Sequence, residues 1–593
     1  MKILPQSRSA RTAILTVMPL VLVYGVYALS QSAPMPPDIA PVALAAEPLY
    51  AQGSGQKPTL TLALSVEEPT VGAQYRGAYD SATEFVGYYD AASCYTYDQG
   101  AAADNQYFIR SGAASSRQCG GSAFSGNFLN WASSSSVDVL RLGLTGGDRI
   151  KDETALTVLQ RAVLPRDFYG SSSHFPAKTI TSTAGKQVMP DSLIGTTTDD
   201  IKINNCLNQI FIYPKGTSPS KGGGETACDN PESVMGPASE LKTTDIPTGG
   251  SEFTDCADAD NGTCDFSGTK EMAFGINGKW NTRIVTNGAK CDYKVLGDPA
   301  PGQSKKCYIR STSNTLPDPT YFSRVKVCDS SGGSLTDPRA GLCQKYPNGN
   351  FKPVGNMQKY SDRVRLAAFG YLMEDGGARY GGVLRAPMTF VGPKTYDADG
   401  TALAGTNPYV EWDLNTGIFG ANPRGETVES NSGVINYLNK FGRVGATPGL
   451  YKRNDHVGEV YYESLRYLQG LAPTPEAVSS IDAAKRAGFP AYEIWTDPFD
   501  GGSNTKSYAC LRNSIMLVGD VKTHNDKSLP GNNRTENYDF DRTAEVNLAN
   551  NIPNFKQWTK VIGGFESNNS VSYTDANGIT RSTSNPTAFT DST

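Results

Sequence analysis

Apolar and polar residues alternate over residues 59–65 (TLTLALS), a period of two that predicts a strand, and the run closes at Glu67, Glu68 and Pro69, where a strand would leave its sheet. The period lengthens over residues 127–144. There Phe128, Trp131, Val137, Leu140, Leu142 and Leu144 recur at roughly helical intervals between Gly126 and Thr145-Gly146-Gly147, predicting one helix with a glycine stop. Two apolar, β-rich runs, 363–373 and 382–391, flank the turn signal Asp375-Gly376-Gly377, so a long hairpin is expected. Helical spacing returns with Val434, Ile435, Leu438 and Phe441, then with Val460, Tyr461, Leu465 and Leu468, and residues 475–487 form a third helical candidate. The run 514–518 (SIMLV) is continuously apolar after its serine, which predicts a strand buried on both faces by helices. Strands alternating with helices predict an α/β fold with a doubly wound sheet.

Composition narrows the class. With Gly 61 and Pro 36 in 593 residues, a helical bundle is excluded in favour of a loop-rich β or α/β protein of several domain-sized units. The 54 basic and 59 acidic residues leave a net charge of −5, with charged residues at 19%, which argues against nucleic acid as a partner because such affinity comes from many phosphate-neutralising Lys and Arg. At the N-terminus, Lys2, Arg8 and Arg11 precede the apolar run 12–29 and the small residues Ser30, Ser32 and Ala33, the pattern of a secretory signal peptide. Cleavage is expected between Ser30 and Ala46. It would leave a flexible leader over 34–55, rich in Pro, Ala and Gln, and a mature protein without a membrane span.

Cysteine usage fits export. The 11 cysteines are Cys94, Cys119, Cys206, Cys228, Cys256, Cys264, Cys291, Cys307, Cys328, Cys343 and Cys510. In an oxidising compartment most would pair, and pairing neighbours in order is one of the connectivities open to them, with Cys510 left over. Residues 206–345 hold eight of these cysteines and several Gly-Gly steps, and read as a disulfide-stapled stretch of turns and short strands.

Signatures of common enzymes are missing: there is no phosphate loop, no dinucleotide fingerprint, no His-Glu-x-x-His and no nucleophile elbow. With only 3 histidines, His174, His456 and His524, nucleophile pairs have few places to form. Two acidic loops offer oxygen ligands of the kind calcium takes. Asp255, Asp258, Asp260, Asn261 and Asp265 crowd the segment around Cys256 and Cys264, and Asp397-Ala398-Asp399-Gly400 is better read as a turn. Asp520 follows the apolar strand directly, and ligands of open α/β sheets bind beyond the carboxyl ends of strands. Thr447, in the loop 445–449, could reach the same edge, so a hydroxyl and a carboxylate would together suit Ca²⁺ or Mg²⁺.

Several blocks in order resemble one family. They are Gly87-Tyr-Tyr-Asp90 with Cys94-Tyr-Thr-Tyr97, Ser125-Gly-Asn-Phe-Leu-Asn-Trp-Ala132, Asp138-Val-Leu-Arg141 with Leu144-Thr-Gly-Gly147, and residues 519–531 (GDVKTHNDKSLPG), and they resemble the N-terminal half of PilY/PilC proteins, tip-located adhesins and assembly factors of type IV pili. The resemblance implies a von Willebrand factor A-like domain in two parts, 56–205 and 346–593, interrupted by the Cys-rich insertion 206–345, after a signal peptide at 1–33. The family's β-propeller half has no counterpart here. It further implies a non-enzymatic protein at the pilus tip on the cell surface, reached through the periplasm, with minor pilins and a host or abiotic surface ligand as partners. Within the A-domain pattern, Thr447 and Asp520 fall on the second and third metal motifs. The first motif departs from Asp-x-Ser-x-Ser: Ser65 stands in the aspartate's place, and Glu67 is the carboxylate that could substitute. The alternative from another class is a secreted hydrolase using a carboxylate pair.

Overall fold

The computed structural model describes residues 56–519 apart from 100–104, 166–167, 169–172, 195–197, 215–238, 241–252, 258–261, 267–268, 278, 287, 294–298, 312–319, 331–334, 340, 374–378, 446 and 501–510, and it adds 526, 529, 571–574 and 580–583. The signal and leader segments, Cys228 and Cys510 lie outside the described residues.

Four strands drawn from distant parts of the chain build a central sheet. β1 (Thr59–Leu64) lies between β2 (Arg365–Gly370) and β4 (Asn513–Val518), parallel to both, while β3 (Val383–Thr389) pairs antiparallel with β2, giving the order β3-β2-β1-β4. Thr59 stands opposite both Arg365 and Asn513. Successive side chains of β2 enter two different cores, because a strand's residues point alternately to its two faces. Leu366 and Ala368 join one; Ala367 and Phe369 join the other.

Helices cover both faces. α1 (Gly126–Ser133) and α2 (Ser136–Thr145) follow each other, and α2 with α3 (Val434–Lys440) packs Val137, Val434, Ile435 and Leu438 on the first face. α4 (Val457–Leu468) covers the second with Val460 and Tyr467.

Several expectations need correction. The strand expected over 59–65 is present as β1, and its threonines, Thr59 and Thr61, are as buried as its leucines. Parallel pairing on both sides puts helices over both faces, so there is no solvent face for the polar positions. The reverse holds for β4: expected to be buried on both sides, it ends the order of the sheet and leaves Leu517 43% exposed. The helix expected over 127–144 is two, because Ser134 is extended and Ser135 opens a new N-terminus at which Asp138 accepts from the Ser135 amide (3.0 Å) and hydroxyl (2.7 Å). Its glycine stop is present, with Gly146 left-handed at φ 84°. The candidate at 475–487 is likewise two short helices, Pro475–Val478 and Ala483–Arg486, separated by Ser480 at φ 51°.

Most of the remaining strands among the described residues pair antiparallel. A six-stranded sheet runs Phe124–Ser125, Ser93–Gln99, Gln106–Ala113, Arg324–Lys326, Leu156–Gln160, Arg149–Glu153, and a four-stranded one joins Thr320–Phe322, Gln209–Pro214, Ile201–Cys206 and Lys178–Ile180. The Cys-rich stretch has a five-stranded sheet and a core of its own in which Cys206, Cys264, Cys291 and Cys307 are buried with Met272 and Phe274. Two of its later strands, Thr320–Phe322 and Arg324–Lys326, nevertheless join the two neighbouring sheets. Disulfides join Cys94–Cys119, Cys256–Cys264, Cys291–Cys307 and Cys328–Cys343, each a pair of sequence neighbours, and Cys206 is disulfide-bonded as well.

Candidate functional site

The carboxyl end of β1 runs into a buried polar cluster. Ser65 extends the strand, its amide donating to the Val518 carbonyl (2.8 Å), and its hydroxyl donates to the Tyr371 phenol (3.3 Å). Tyr371 follows β2 and accepts from the His456 amide just before α4 (2.9 Å), so one phenol ties together three chain segments that meet at the sheet's end. Glu67, 1% exposed, is held there by a backbone bridge to Lys452, whose ammonium lies 4.3 Å from the centre of the Tyr371 ring and donates to the Arg379 carbonyl (2.8 Å).

The start of α4 adds more acid groups. Asp526 accepts from the amides of Gly458 (2.9 Å) and Glu459 (3.0 Å), as an acid at a helix N-terminus should. Burial still pushes its carboxyl up to about 6, with the charge of Glu459 working in the same direction. Glu459 accepts from the Gly381 amide (2.8 Å) and sits 3.3 Å from His456 Nδ1. Burial also raises the Tyr371 phenol, and Glu67, Asp526 and Asp455 contribute to that rise. Chemically this is an acidic nest in which the carboxylates of Asp526 and Glu459 are engaged by backbone amides of the segments they join. Beside the same strand ends, a cavity of about 570 Å³ opens among Pro69, Thr70, Arg76, His174, Val518 and Gly519.

Of the residues expected to gather at this edge, Ser65 and Glu67 do so. Thr447 is exposed and lines a separate small cavity of about 60 Å³ with Tyr437, Phe441 and Arg486. Asp520 lies outside the described residues, as do Asp258, Asp260 and Asn261 of the acidic loop; Asp265 is exposed, and Asp255 lies 3.8 Å from Lys306. Asp397 accepts from the amides of Asp399 (3.0 Å) and Thr401 (2.8 Å), which makes its segment a turn. Cys328, Asp337 and Cys343 are the one group among the described residues with three Cys, His or acidic ligand atoms close enough to share a metal ion, but both sulfurs are in a disulfide and the carboxylate is paired with Arg339 (2.8 Å).

Tyr371, Asp455, His456, Glu459 and Asp526 were not anticipated at this edge. A signal existed for two of them: Asp455-His456 immediately precedes the helical periodicity of 457–468, where capping residues belong.

Residues 76–217 match the family described as "PilY1 homolog, small alpha/beta domain", and residues 379–593 match "PilY1 homolog, second domain". The chain is also 30% identical over 517 residues, 83% of its length, to the type IV pilus biogenesis factor PilY1 homolog of Xylella fastidiosa (strain Temecula1 / ATCC 700964). The chain belongs to the PilY1 family. It spans 34% of that relative's length. No solved structure matches it significantly. The first PilY1 match covers α1, α2 and most strands of the six- and four-stranded sheets, and the second covers β3, α3, α4 and β4, so β1 and β2 fall outside both.

Proposed function

We propose that this chain is the N-terminal part of an exported type IV pilus biogenesis factor that acts at the pilus tip as an adhesin and assembly protein. The observation that carries the reading is the likeness to the Xylella fastidiosa relative, which extends over 83% of the chain. The fold supports the finer assignment of an A-type domain: β1 lies between two parallel partners, an antiparallel edge strand follows β2, and helices cover both faces. In such sheets the carboxyl ends of the strands form the binding edge, here the acidic nest and the cavity beside it. The Cys-rich sheet, interposed between β1 and β2, is the contact surface for a host or abiotic ligand, and the A-type domain docks on minor pilins.

A tight adhesion-type cation site is not part of this reading. Ser65 offers a hydroxyl where a carboxylate is usual and donates it to Tyr371, while Thr447 lines another cavity. Oxygen-ligand affinity for Ca²⁺ or Mg²⁺ falls with ligand charge.

The test is genetic and biochemical. Deleting the coding region in the native host should abolish or sharply reduce pili recovered by shearing, and a full-length copy should restore them. Site-specific photo-crosslinkers placed on the A-type domain should capture a minor pilin. Normal piliation in the deletion strain would reject the reading.

A further inference from the structure

A third cavity, of about 390 Å³, lies away from the strand ends, between the hairpin turn that links Ile201–Cys206 to Gln209–Pro214 and the loop that follows α3. Lys151, Arg324 and Arg443 contribute three cationic side chains to its wall, and Gln160 and Asn208 contribute two amides. Ile150, Val163, Leu207 and Pro448 complete it, with neither an acidic nor an aromatic side chain among the described lining residues. Arg443 is held by the buried Asp148 through two bonds of 2.6 Å, whereas Lys151 donates to the neutral amide of Asn105 (2.6 Å). Convergent cations on a concave, partly desolvated wall create a positive potential that an anion relieves.

The wall is also rigid. Leu207 occupies the left-handed region at φ 45°, a conformation unfavourable for a non-glycine residue. It is kept there because its carbonyl accepts from both Arg161 (2.8 Å) and the Leu164 amide (2.8 Å), while the Asn208 carbonyl accepts from the Ser323 amide (2.8 Å). Gln160 Oε1 accepts from Asn208 (3.0 Å) and from Arg324 Nε (2.8 Å), which fixes both side chains at the rim. The two-residue turn itself requires the positive φ, and these bonds fix the wall before any ligand arrives, which lowers the ordering cost of binding.

We propose that this cavity binds a small polar oxyanion, of the class of an acidic sugar or a sugar phosphate. The cations meet the carboxylate or phosphate, the amides of Gln160 and Asn208 meet hydroxyl groups, and Pro448, Ile150 and Val163 offer an aliphatic face to the ring. With no aromatic side chain for a base to stack on, nucleotides are disfavoured. The volume admits a ligand of one or two rings and excludes a folded partner. The proposal stands on this cavity alone and does not depend on the pilus reading.

The test is titration of the purified chain with galacturonic acid, glucose 6-phosphate and glucose, followed by calorimetry and ligand-observed NMR. At least one acidic sugar should bind where glucose does not, and its affinity should fall as salt is raised. Whichever acid binds identifies the anionic group. Lys151 is partly exposed, so Lys151→Glu should fold, which its melting curve verifies; losing one charge-assisted contact and adding a repulsive charge should weaken binding by at least about tenfold. Lys151→Gln should weaken it less. Binding of neither acid, equal binding of glucose, or unchanged affinity in both variants would overturn the proposal.

Discussion

Lys178 shows how a single residue can make the whole chain respond to pH. It is 5% exposed, its ammonium donates to the Trp131 carbonyl, and the rings of Trp131 (5.0 Å) and Phe175 (5.6 Å) surround it. Burial, reinforced by the charge of Arg161, pulls its amine down to about 7. An amine whose pKa falls on folding binds fewer protons in the native state than in the unfolded one. Native stability therefore rises with pH from about 7 towards the ordinary lysine value of 10.5, and is lost as the pH drops back through that window. Lys178→Met, similar in length and without the charge, should be more stable than the parent at neutral pH, with the advantage shrinking as pH rises. Urea unfolding across that window measures this, and parallel profiles for the two proteins would contradict the account.

Elements in this fold are often terminated by side chains from far along the chain. Helix α3 begins after Gly433, which is left-handed at φ 93°, and its N-terminal amides at Val434 (2.8 Å) and Ile435 (2.7 Å) donate to the two oxygens of Glu411. Burial pushes Glu411 up to about 7 although both amides favour its ionised form. An acid raised in this way binds more protons when folded, so its contribution is complete below about 4.5 and is lost as pH rises through about 7. Glu411→Ala strands two buried amides and should cost about 2–4 kcal/mol of stability in denaturant titrations. Glu411→Gln should also destabilise, since one amide would then face an NH₂ group. At the end of α2, Gly146 is needed twice over: its φ is left-handed, and a Cβ there would lie 2.6 Å from the Pro353 backbone.

For the molecule as a whole, the central sheet is assembled from strands centred near residues 60, 367, 386 and 516, so most of the chain must be folded away between its first two strands. Such non-local pairing makes for slow folding and a premium on constraints that restrict the unfolded chain. The disulfides supply them. Cys328–Cys343 closes a separation of 15 residues beside the strand that returns the Cys-rich stretch to the six-stranded sheet. Replacing both cysteines with serine should cost about 3 kcal/mol by loop entropy, read as a lower denaturant midpoint under non-reducing conditions. Buried arginines bind the parts to each other: Arg141 on α2 donates to the carbonyls of Leu438 (2.8 Å) and Phe441 (3.0 Å) at the end of α3. Truncation to methionine would leave those carbonyls unmet, which couples the small α/β region to the central sheet.

Local pattern was enough to identify β1, the β2–β3 hairpin, α3, α4 and β4, because each rests on a periodicity or a turn signal contained within a few residues. It also placed Ser65 and Glu67 at the end of a strand. What a strand's neighbours are, however, is not written in its own residues: the apolar run of β4 read as buried on both faces, and its place at the end of the strand order left it partly exposed. The break between α1 and α2 depended on Ser135 choosing to cap rather than continue, a local competition that an imperfect apolar spacing hides. The acidic nest at the strand ends, and the cationic cavity beside the 206–209 turn, come from residues separated by tens to hundreds of positions. Burial and hydrogen bonding set their charge states and geometry. Family membership and elements were therefore properties of the sequence by itself, since blocks of residues and short-range periodicity carry them. Which faces are buried, which carboxylates are raised and which cations converge were decided only by tertiary structure, because desolvation and proximity exist only once distant segments pack.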